Sequence, residues 1–268
     1  MQDFSVAVYR QLLDSLQQAG YRFQTFADFL QAPHEKAVVL RHDVDDRKLH
    51  SLEFARIQHE KGIVGTYFFR VVPESFDEEV IREIHALGHE IGYHYEDMDF
   101  AHGDPDKAIQ FFERHLEKLR RVAPVNTICM HGSPRSRYDN KAVWKKYDYH
   151  DYGIIGEPYF DLNFKNVFYL TDTGRRWDGH AVSVRDKVID YFGLRFHSTP
   201  EIIQSIRQGR FPDKAMFNFH PQRWTDNQLL WLTDKYRQKV KNTIKYWLIK
   251  WRNTPNPTEL PRQSLVNR

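Results

Sequence analysis

The chain has 268 residues, and 39 Lys and Arg residues against 36 Asp and Glu residues give a formal net charge of +3. Hydrophobic residues make up 41% of the sequence, which is enough for a sizeable core and excludes disorder as the main state. So small a charge on a chain of this length argues against a nucleic-acid partner.

The cysteine content and the N-terminal sequence indicate the compartment. Cys129 is the single cysteine, so neither an intrachain disulfide nor a thiolate zinc site can form. The first residues lack a basic stretch followed by an apolar one, and no run reaches the roughly 18 apolar residues of a membrane span. We therefore expect a cytoplasmic protein.

Short β-branched or aromatic runs alternate with amphipathic stretches along most of the chain. The predicted strands are 37–41, 65–70, 90–94, 127–131, 153–156, 167–170 and 215–220. The predicted helices lie at about 5–19, 47–61, 77–87, 106–122, 139–146 and 226–252, with a capping region around 157–195. This alternation is typical of a parallel α/β fold.

About seven strands and the lack of a Pro-, Gly- or Ser-rich linker predict one domain. The expected fold is α/β, a distorted (β/α)7-type barrel with a long C-terminal helix. We expect the barrel domain to cover residues 1–253. Residues 254–268 contain three prolines and no periodicity, which predicts a loose C-terminal tail.

Acidic and imidazole side chains fall where four predicted strands end. Asp43 and Asp45 follow the first strand, and His94, His131 and His220 end three later ones. Because parallel barrel strands present their carboxyl ends at one rim, we expect these side chains to meet there. Two carboxylates two residues apart on an extended strand share a face, and a divalent cation relieves their repulsion.

The same rim residues suggest metal-assisted hydrolysis. His94 and His131 can supply two neutral nitrogens that, with one carboxylate, make a site for Zn²⁺, and such a metal activates water. The other interpretation of the two aspartates is a solvated acidic strand end paired with Arg41 and Arg47. The aspartates taken alone do not separate these two interpretations.

Four runs of sequence resemble motifs of the polysaccharide deacetylase superfamily, carbohydrate esterases that include chitin, chitooligosaccharide and peptidoglycan deacetylases. They are RHDVD at 41–45, GTYFF at 65–69, GHEIGYH at 88–94 and FNFH at 217–220. They follow the family's order, and the run at 88–94 is the most specific. The chain is similar to a divergent branch of the family, associated with bacterial surface-polysaccharide biosynthesis.

The resemblance implies a metal-dependent hydrolase that removes an acyl group, an N-acetyl group in the family, from a sugar of a bacterial surface polysaccharide or its precursor. Asp43 would then be the catalytic base, and His220 the general acid that protonates the leaving amine. Asp45 and His94 would bind the metal, which we expect to be zinc, and the partner would be a saccharide substrate.

The chain departs from the family at the metal motif. His-Ser/Thr-x-x-His places a second histidine four residues after the first, but here Met98 follows His94 at that spacing. We expect His131 to complete the metal site, with Asp97 as the alternative third ligand.

A second departure concerns the arginine that orients the base in the family. HGSP at 131–134 stands where the family has Arg-x-Pro-Tyr. Arg41, Arg70 or Arg135 is expected to take over this role. Trp177 resembles the tryptophan that packs near the general acid and is expected either to pack there or to contact the sugar.

Two other functions remain open at the level of sequence. Loss of the second motif histidine is also compatible with a catalytically inactive saccharide-binding or assembly protein on the same fold. Related folds act on cyclic amides and ureides, so hydrolysis of another C–N bond is a further alternative. Metal content separates the first alternative from an enzyme.

The predicted C-terminal helix is amphipathic and basic. Its apolar residues at helical spacing are Leu229, Leu232, Tyr236, Val240, Ile244, Trp247, Leu248 and Trp251. Its basic residues are Lys235, Arg237, Lys239, Lys241, Lys245, Lys250 and Arg252. We expect the first half to pack on the barrel. The end from Trp247 to Trp251 is left open as a peripheral contact with the inner face of an anionic membrane. The sequence makes no prediction of oligomeric state.

Overall fold

The computed structural model describes residues 2–133, 136–177, 188–236 and 243. The α-helices are α1 Val6–Gln18, α2 Phe26–Gln31, α3 Lys48–Glu60, α4 Glu78–Ala86, α5 Asp97–Phe100, α6 Pro105–Arg120, α7 Pro158–Asp161 and α8 Thr199–Arg207. The strands are β1 Arg22–Gln24, β2 Ala37–Val44, β3 Thr66–Phe69, β4 Glu90–Tyr95, β5 Val125–Met130, β6 Phe168–Thr171 and β7 Lys214–Phe219. A further helical stretch, residues 228–236, follows the last strand.

The strands form one seven-stranded sheet with the order β5-β4-β3-β2-β7-β6, and β1 pairs with the beginning of β2. Every strand pairing is parallel. The predicted parallel α/β fold is therefore confirmed. Within the described residues β5 and β6 are the outer strands of this order and do not pair with each other, so the barrel-like sheet is not closed.

The central strand β2 shows why the sheet is buried on both faces. Val38 and Leu40 pack in the main core with side chains of α1, α3, α4, α6 and α8. Ala37 and Val39 pack in a smaller cluster on the opposite face. Because successive side chains of a strand alternate between faces, Asp43 lies on the side of Ala37 and Val39. We call this side of the sheet the inner face.

Side-chain caps fix where two of the longer helices begin. Asp77 accepts hydrogen bonds from the backbone N–H groups of Glu79 and Val80 at the start of α4. Asp104 caps α6 in the same way, and Pro105 occupies the first position of that helix, where its missing N–H costs nothing. Both helices then pack their apolar residues in the main core against the sheet.

Two predicted elements differ from the structure, and one observed strand was not predicted. The strand predicted at 153–156 is wrong, because this segment makes only a single bridge, between Thr127 and Gly156. Gly153 at its start has a φ of 69°, which interrupts extended backbone. The stretch at 139–146 is a 3₁₀ helix, Asn140–Lys145, and the short strand β1 was not predicted because its three residues carry little apolar signal.

The C-terminal prediction is only partly within the described residues. Residues 237–242 and 244–268 lie outside them, as do 178–187 of the predicted capping region. In the described part, the helix contacts the barrel through Trp231 and Asp234, but not through the three apolar residues that were expected to pack there. Leu229, Leu232 and Tyr236 are 76%, 44% and 67% exposed. No helix in the described part of the chain is long and apolar enough to cross a bilayer.

Candidate active site

Five polar side chains meet on the inner face at the carboxyl ends of the strands. Asp43 lies near the end of β2, and Asp45 follows it. His94 lies in β4, while His131 and His220 directly follow β5 and β7. For each of the five, a residue next to it in sequence packs in the main core. Because successive side chains of a strand point to opposite faces of the sheet, these five point to the inner face. The pleat of the sheet thus assembles the site.

Three of these side chains form a candidate metal centre. Asp45, His94 and His131 each offer one ligand atom, and these atoms lie within 4.8 Å of one another. Asp45 Oδ1 is 3.6 Å from Nε2 of His94 and 3.6 Å from Nε2 of His131. Ligands bound at about 2.0–2.2 Å to a tetrahedral zinc ion lie about 3.3 Å apart, so the observed spacing is close to that of a metal site.

Hydrogen bonds orient both imidazoles toward this centre. His94 Nδ1 lies 2.9 Å from the carbonyl oxygen of Cys129, to which it donates. His131 Nδ1 lies 2.9 Å from Oε2 of Glu96. In each ring Nδ1 carries the proton that goes to the acceptor oxygen. The lone pair of Nε2 is then free to bind a cation. Arg70 in turn holds Glu96 through hydrogen bonds of 2.9 and 2.8 Å.

The carboxylate at this centre also fits a bound cation. Asp45 Oδ1 is buried and has no hydrogen-bond partner within the described structure. A buried acceptor without a donor is costly, and a metal ion would satisfy it. Burial raises the pKa of Asp45, but the imidazoles of His94, His131 and His220 outweigh this and hold the pKa well below its usual range. The carboxylate is therefore charged, as a metal ligand must be.

A second group of potential ligands is less suitable. Asp43, His94 and Cys129 also have ligand atoms within 4.8 Å of one another. However, Arg41 donates to both carboxylate oxygens of Asp43, at 2.8 and 2.6 Å. A cation bound there would lie against a buried guanidinium. The group containing Asp45 is the better metal site for this electrostatic reason.

The ion pair between Arg41 and Asp43 is buried on the inner face of the sheet. The Arg41 and Asp43 side chains are 1% and 4% exposed. Asn218 adds a hydrogen bond of 3.1 Å from Nδ2 to Oδ2 of Asp43. Burial raises the pKa of Asp43, but the Arg41 guanidinium and nearby imidazoles lower it to about 2. Asp43 is consequently ionised at neutral pH, and His94 Nε2 lies 3.8 Å from its Oδ2.

A buried carboxylate holds His220 on the other side of the centre. His220 Nδ1 lies 2.6 Å from Oδ1 of Asp172, and the His220 backbone N–H donates to Oδ2 of the same residue. Arg223 and Trp224 also donate to Asp172. This leaves His220 Nε2 directed at the site, 3.8 Å from Oδ2 of Asp45.

Some predicted site residues lie elsewhere. Asp97 is buried on the other face, where Tyr93 and His115 hold its carboxylate, so it does not join the metal centre. Arg70 pairs with Glu96 and reaches the backbone of Asp45 rather than Asp43.

Trp177 and Arg135 are two further residues that the sequence predicts at the site. Trp177 is 3% exposed, and its indole N–H donates to Thr199, so this residue packs in the interior and does not present a sugar platform. Arg135 lies outside the described residues. Of the arginines expected to orient the base, Arg41 is the one that the structure places on Asp43.

Three residues around the site were not singled out from the sequence. Glu96 and Asp172 orient the histidines at 131 and 220, and Asn218 donates a hydrogen bond to Asp43. Each stands at or just after the carboxyl end of a strand, and this position is the feature of the sequence that could have indicated a role at the site. Their pairing with a particular histidine depends on which strands are neighbours.

The candidate centre opens on a polar groove of about 440 Å³, lined in part by Arg70, His131, Arg137 and Tyr138. A larger cavity of about 570 Å³ lies beside β6 and is lined by apolar residues, among them Phe168 and Leu170, together with polar ones such as Arg176 and Asp190. None of the five rim residues lines the larger cavity, so we take the groove as the side from which a substrate reaches the centre.

No protein-family model and no curated protein matches the chain. Among solved structures it is similar to a family 4 carbohydrate esterase from Bacillus anthracis, with 12% identity, a TM-score of 0.41 and 91% of each chain covered. A family 4 esterase from Streptococcus mutans has 12% identity and a TM-score of 0.43, covering 84% of this chain and 86% of the other.

A further similar structure is a family 4 pseudoenzyme from Bacillus anthracis, with 16% identity and a TM-score of 0.42. The match covers 78% of this chain and 63% of that one. At identities this low, the function of the chain depends on what its own side chains can do.

Proposed function

We propose that the protein is a metal-dependent hydrolase that removes an acyl group, an N-acetyl group in the simplest case, from a saccharide. The observation that supports this most strongly is that Asp45, His94 and His131 converge next to one group that can accept a proton and another that can donate one. The first group is the carboxylate of Asp43, and the second is the imidazole of His220. Amide hydrolysis needs both transfers.

The metal ligands are Asp45, His94 and His131. Two imidazole nitrogens and one carboxylate oxygen suit zinc, and three protein ligands leave a position open for catalysis. When bound, zinc would polarise the acyl carbonyl and make water a better nucleophile. His131 thereby takes the place of the second histidine that the family motif carries four residues after the first.

Asp43 acts as the general base. Its carboxylate is ionised because Arg41 neutralises it inside the protein, and it lies beside His94 at the centre. It can therefore accept a proton from the attacking water. Arg41 also fixes the plane of the carboxylate through two parallel hydrogen bonds, which limits its motion relative to the substrate.

His220 acts as the general acid. Asp172 accepts from Nδ1 and stabilises the charged imidazolium, so the proton on Nε2 is the one that can be delivered. An amine leaves poorly as an anion, and protonation of its nitrogen as the C–N bond breaks removes this barrier. His220 is suited to this step because its Nε2 lies 3.8 Å from Oδ2 of Asp45, one of the proposed metal ligands.

The substrate that we propose is a sugar of a bacterial surface polysaccharide or its precursor, met by the protein in the cytoplasm. The open groove beside the centre supports a saccharide, since its lining is polar and includes Arg137 and Tyr138. The implied reaction is hydrolysis of an amide to release a carboxylate such as acetate and leave a free amine on the sugar.

Release of acetate from a panel of N-acetylated saccharides, nucleotide-linked sugars and lipid-linked sugars tests this function. We expect turnover by the zinc-loaded protein and its loss in His94→Ala, while His85→Ala, an exposed histidine on α4, retains wild-type activity. Full metal occupancy without turnover of any substrate would contradict the hydrolase and favour the saccharide-binding alternative. Turnover of cyclic amides alone would favour hydrolysis of a different C–N bond.

A further inference from the structure

The helical stretch at 228–236 touches the rest of the described protein through one side only. Trp231 and Asp234 are its two partly buried residues, and all others are exposed. The Trp231 indole N–H donates to the carbonyl oxygen of Asp3 at 2.7 Å. Asp234 pairs with Arg47, with 2.6 Å between Oδ2 and Nη1. These contacts fix which side of the helix faces the barrel.

Three apolar residues of this stretch lie on a different side. Leu229, Leu232 and Tyr236 follow the i, i+3, i+7 spacing of one helical face, which we call the apolar face. At 100° per residue, this face is turned about 180° from Trp231 and Asp234. It therefore points away from the barrel, in agreement with the exposure of all three side chains. Exposed apolar groups arranged along one helical face mark a binding surface more often than scattered ones do.

The charge of the sequence that follows this face indicates what binds there. From Lys235 to Arg252 the sequence contains seven Lys and Arg residues and no Asp or Glu. A second copy of the chain would bring an equal positive charge against this one, which disfavours self-association through this surface. An anionic lipid surface offers both the negative charge that this basic sequence attracts and an apolar layer for Leu229, Leu232 and Tyr236.

We propose that the apolar face docks on an anionic membrane surface. Leu229, Leu232 and Tyr236 enter the boundary between headgroups and acyl chains, and the basic residues that follow attract the anionic headgroups. The helix lies beside the candidate active site, because Arg47 also contacts the carbonyl oxygen of Gln222, whose side chain donates to Asp45. Docking would thus bring the mouth of the site close to the bilayer. The proposal does not depend on the hydrolase function.

Cosedimentation of the full chain with lipid vesicles tests this proposal, with no substrate present. The probes are vesicles of phosphatidylcholine alone and of equal parts phosphatidylcholine and phosphatidylglycerol. We expect binding to the anionic vesicles, little binding to the neutral ones, and loss of binding near 1 M salt, where the Debye length is about 3 Å.

The double variant Leu229→Glu/Leu232→Glu should bind anionic vesicles roughly tenfold more weakly for each leucine replaced. The matched control is Leu49→Glu on α3, since Leu49 is 67% exposed and lies on another element. This control should bind as the wild type does. Both variants alter exposed positions, so thermal unfolding should remain near wild type and verify that each is folded.

Four results would overturn the proposal. The wild type could fail to bind anionic vesicles, or bind neutral vesicles equally well. The double variant could bind as the wild type does. Finally, light scattering could show that the wild type is a dimer and the double variant a monomer, while the wild type does not bind vesicles. A second copy of the chain would then be the occupant of this face.

Discussion

Arg41 donates two hydrogen bonds to Asp43, the residue two positions later on the same face of the same strand. Both side chains are almost completely buried, and the pair lies at the edge of the candidate metal centre. The arginine that orients Asp43 therefore comes from the same strand as Asp43 itself. A short extended segment positions both groups, and no separate loop is required.

Replacement of Arg41 by methionine should destabilise the protein by about 3–5 kcal/mol, because it leaves the Asp43 carboxylate buried without its counter-charge. Urea unfolding measures this free energy. Arg41→Lys keeps a charge but cannot donate two parallel hydrogen bonds, so it should lie between the wild type and Arg41→Met. A loss of less than about 1 kcal/mol in Arg41→Met, the level of an exposed ion pair, would show that the pair is not buried as described.

Asp43→Asn should retain the metal and lose activity, because asparagine keeps the shape of the carboxylate without its basicity. We expect kcat to fall by roughly 10²–10⁴-fold, the usual range for loss of a general base. Metal content and acetate release are measured on the same sample. Asp45→Asn is the matched control and should lose the metal. Equal metal loss in both variants would make Asp43 a ligand and move the base elsewhere.

His220→Ala should lower kcat by roughly 10²–10⁴-fold with little change in metal content, since this side chain transfers a proton and is not one of the three ligands. Asp172→Asn should lower kcat as well, because the amide does not stabilise the imidazolium. Steady-state kinetics with the best substrate of the panel provides the comparison. An unchanged rate in His220→Ala would remove this residue from the mechanism.

The stability of the protein should fall as pH is lowered from about 6.5, because His42 is buried on the face opposite the site. Its ring stacks on Tyr67 at a centroid distance of 4.1 Å, and Gln58 lies 2.8 Å from Nε2. Burial lowers the pKa of His42 to about 3. The unfolded chain binds a proton below about pH 6.5 while the folded chain does not, which costs about 1.4 kcal/mol per pH unit down to about pH 3.

Urea unfolding at pH 7 and pH 5.5 measures this dependence. Replacement of His42 by glutamine should reduce the difference in unfolding free energy between the two pH values by about 1–2 kcal/mol. The exposed His85→Gln serves as the control and should leave the difference unchanged. The same difference in His42→Gln as in the wild type would mean that His42 is not held neutral in the folded protein.

The alternation of strands and helices and the polar residues at strand ends were sufficient to predict the parallel fold and the meeting of Asp45, His94 and His131. Both follow from local rules, since a parallel sheet brings all carboxyl ends to one side. Asp97 is an exception to these local rules. It is close to His94 in sequence, but the chain turns into α5 after β4 and carries Asp97 toward Tyr93 and His115.

The partners of the histidines depend on tertiary neighbours, which local patterns do not contain. Glu96 reaches His131 because β4 and β5 are adjacent, and Asp172 reaches His220 because β6 and β7 are adjacent. Strand order in a sheet cannot be derived from the periodicity of any one strand.

Elemental analysis of protein that is purified without chelator and then loaded with zinc measures whether Asp45, His94 and His131 form a metal centre. We expect one tightly bound zinc per chain in the wild type and His85→Ala, and loss of that zinc in His94→Ala and His131→Ala with the fold retained. The decisive variant is His131→Ala, because this residue takes the place of the missing motif histidine. A wild type that binds no zinc, or a His131→Ala protein that binds it as tightly as the wild type, would contradict the proposed centre.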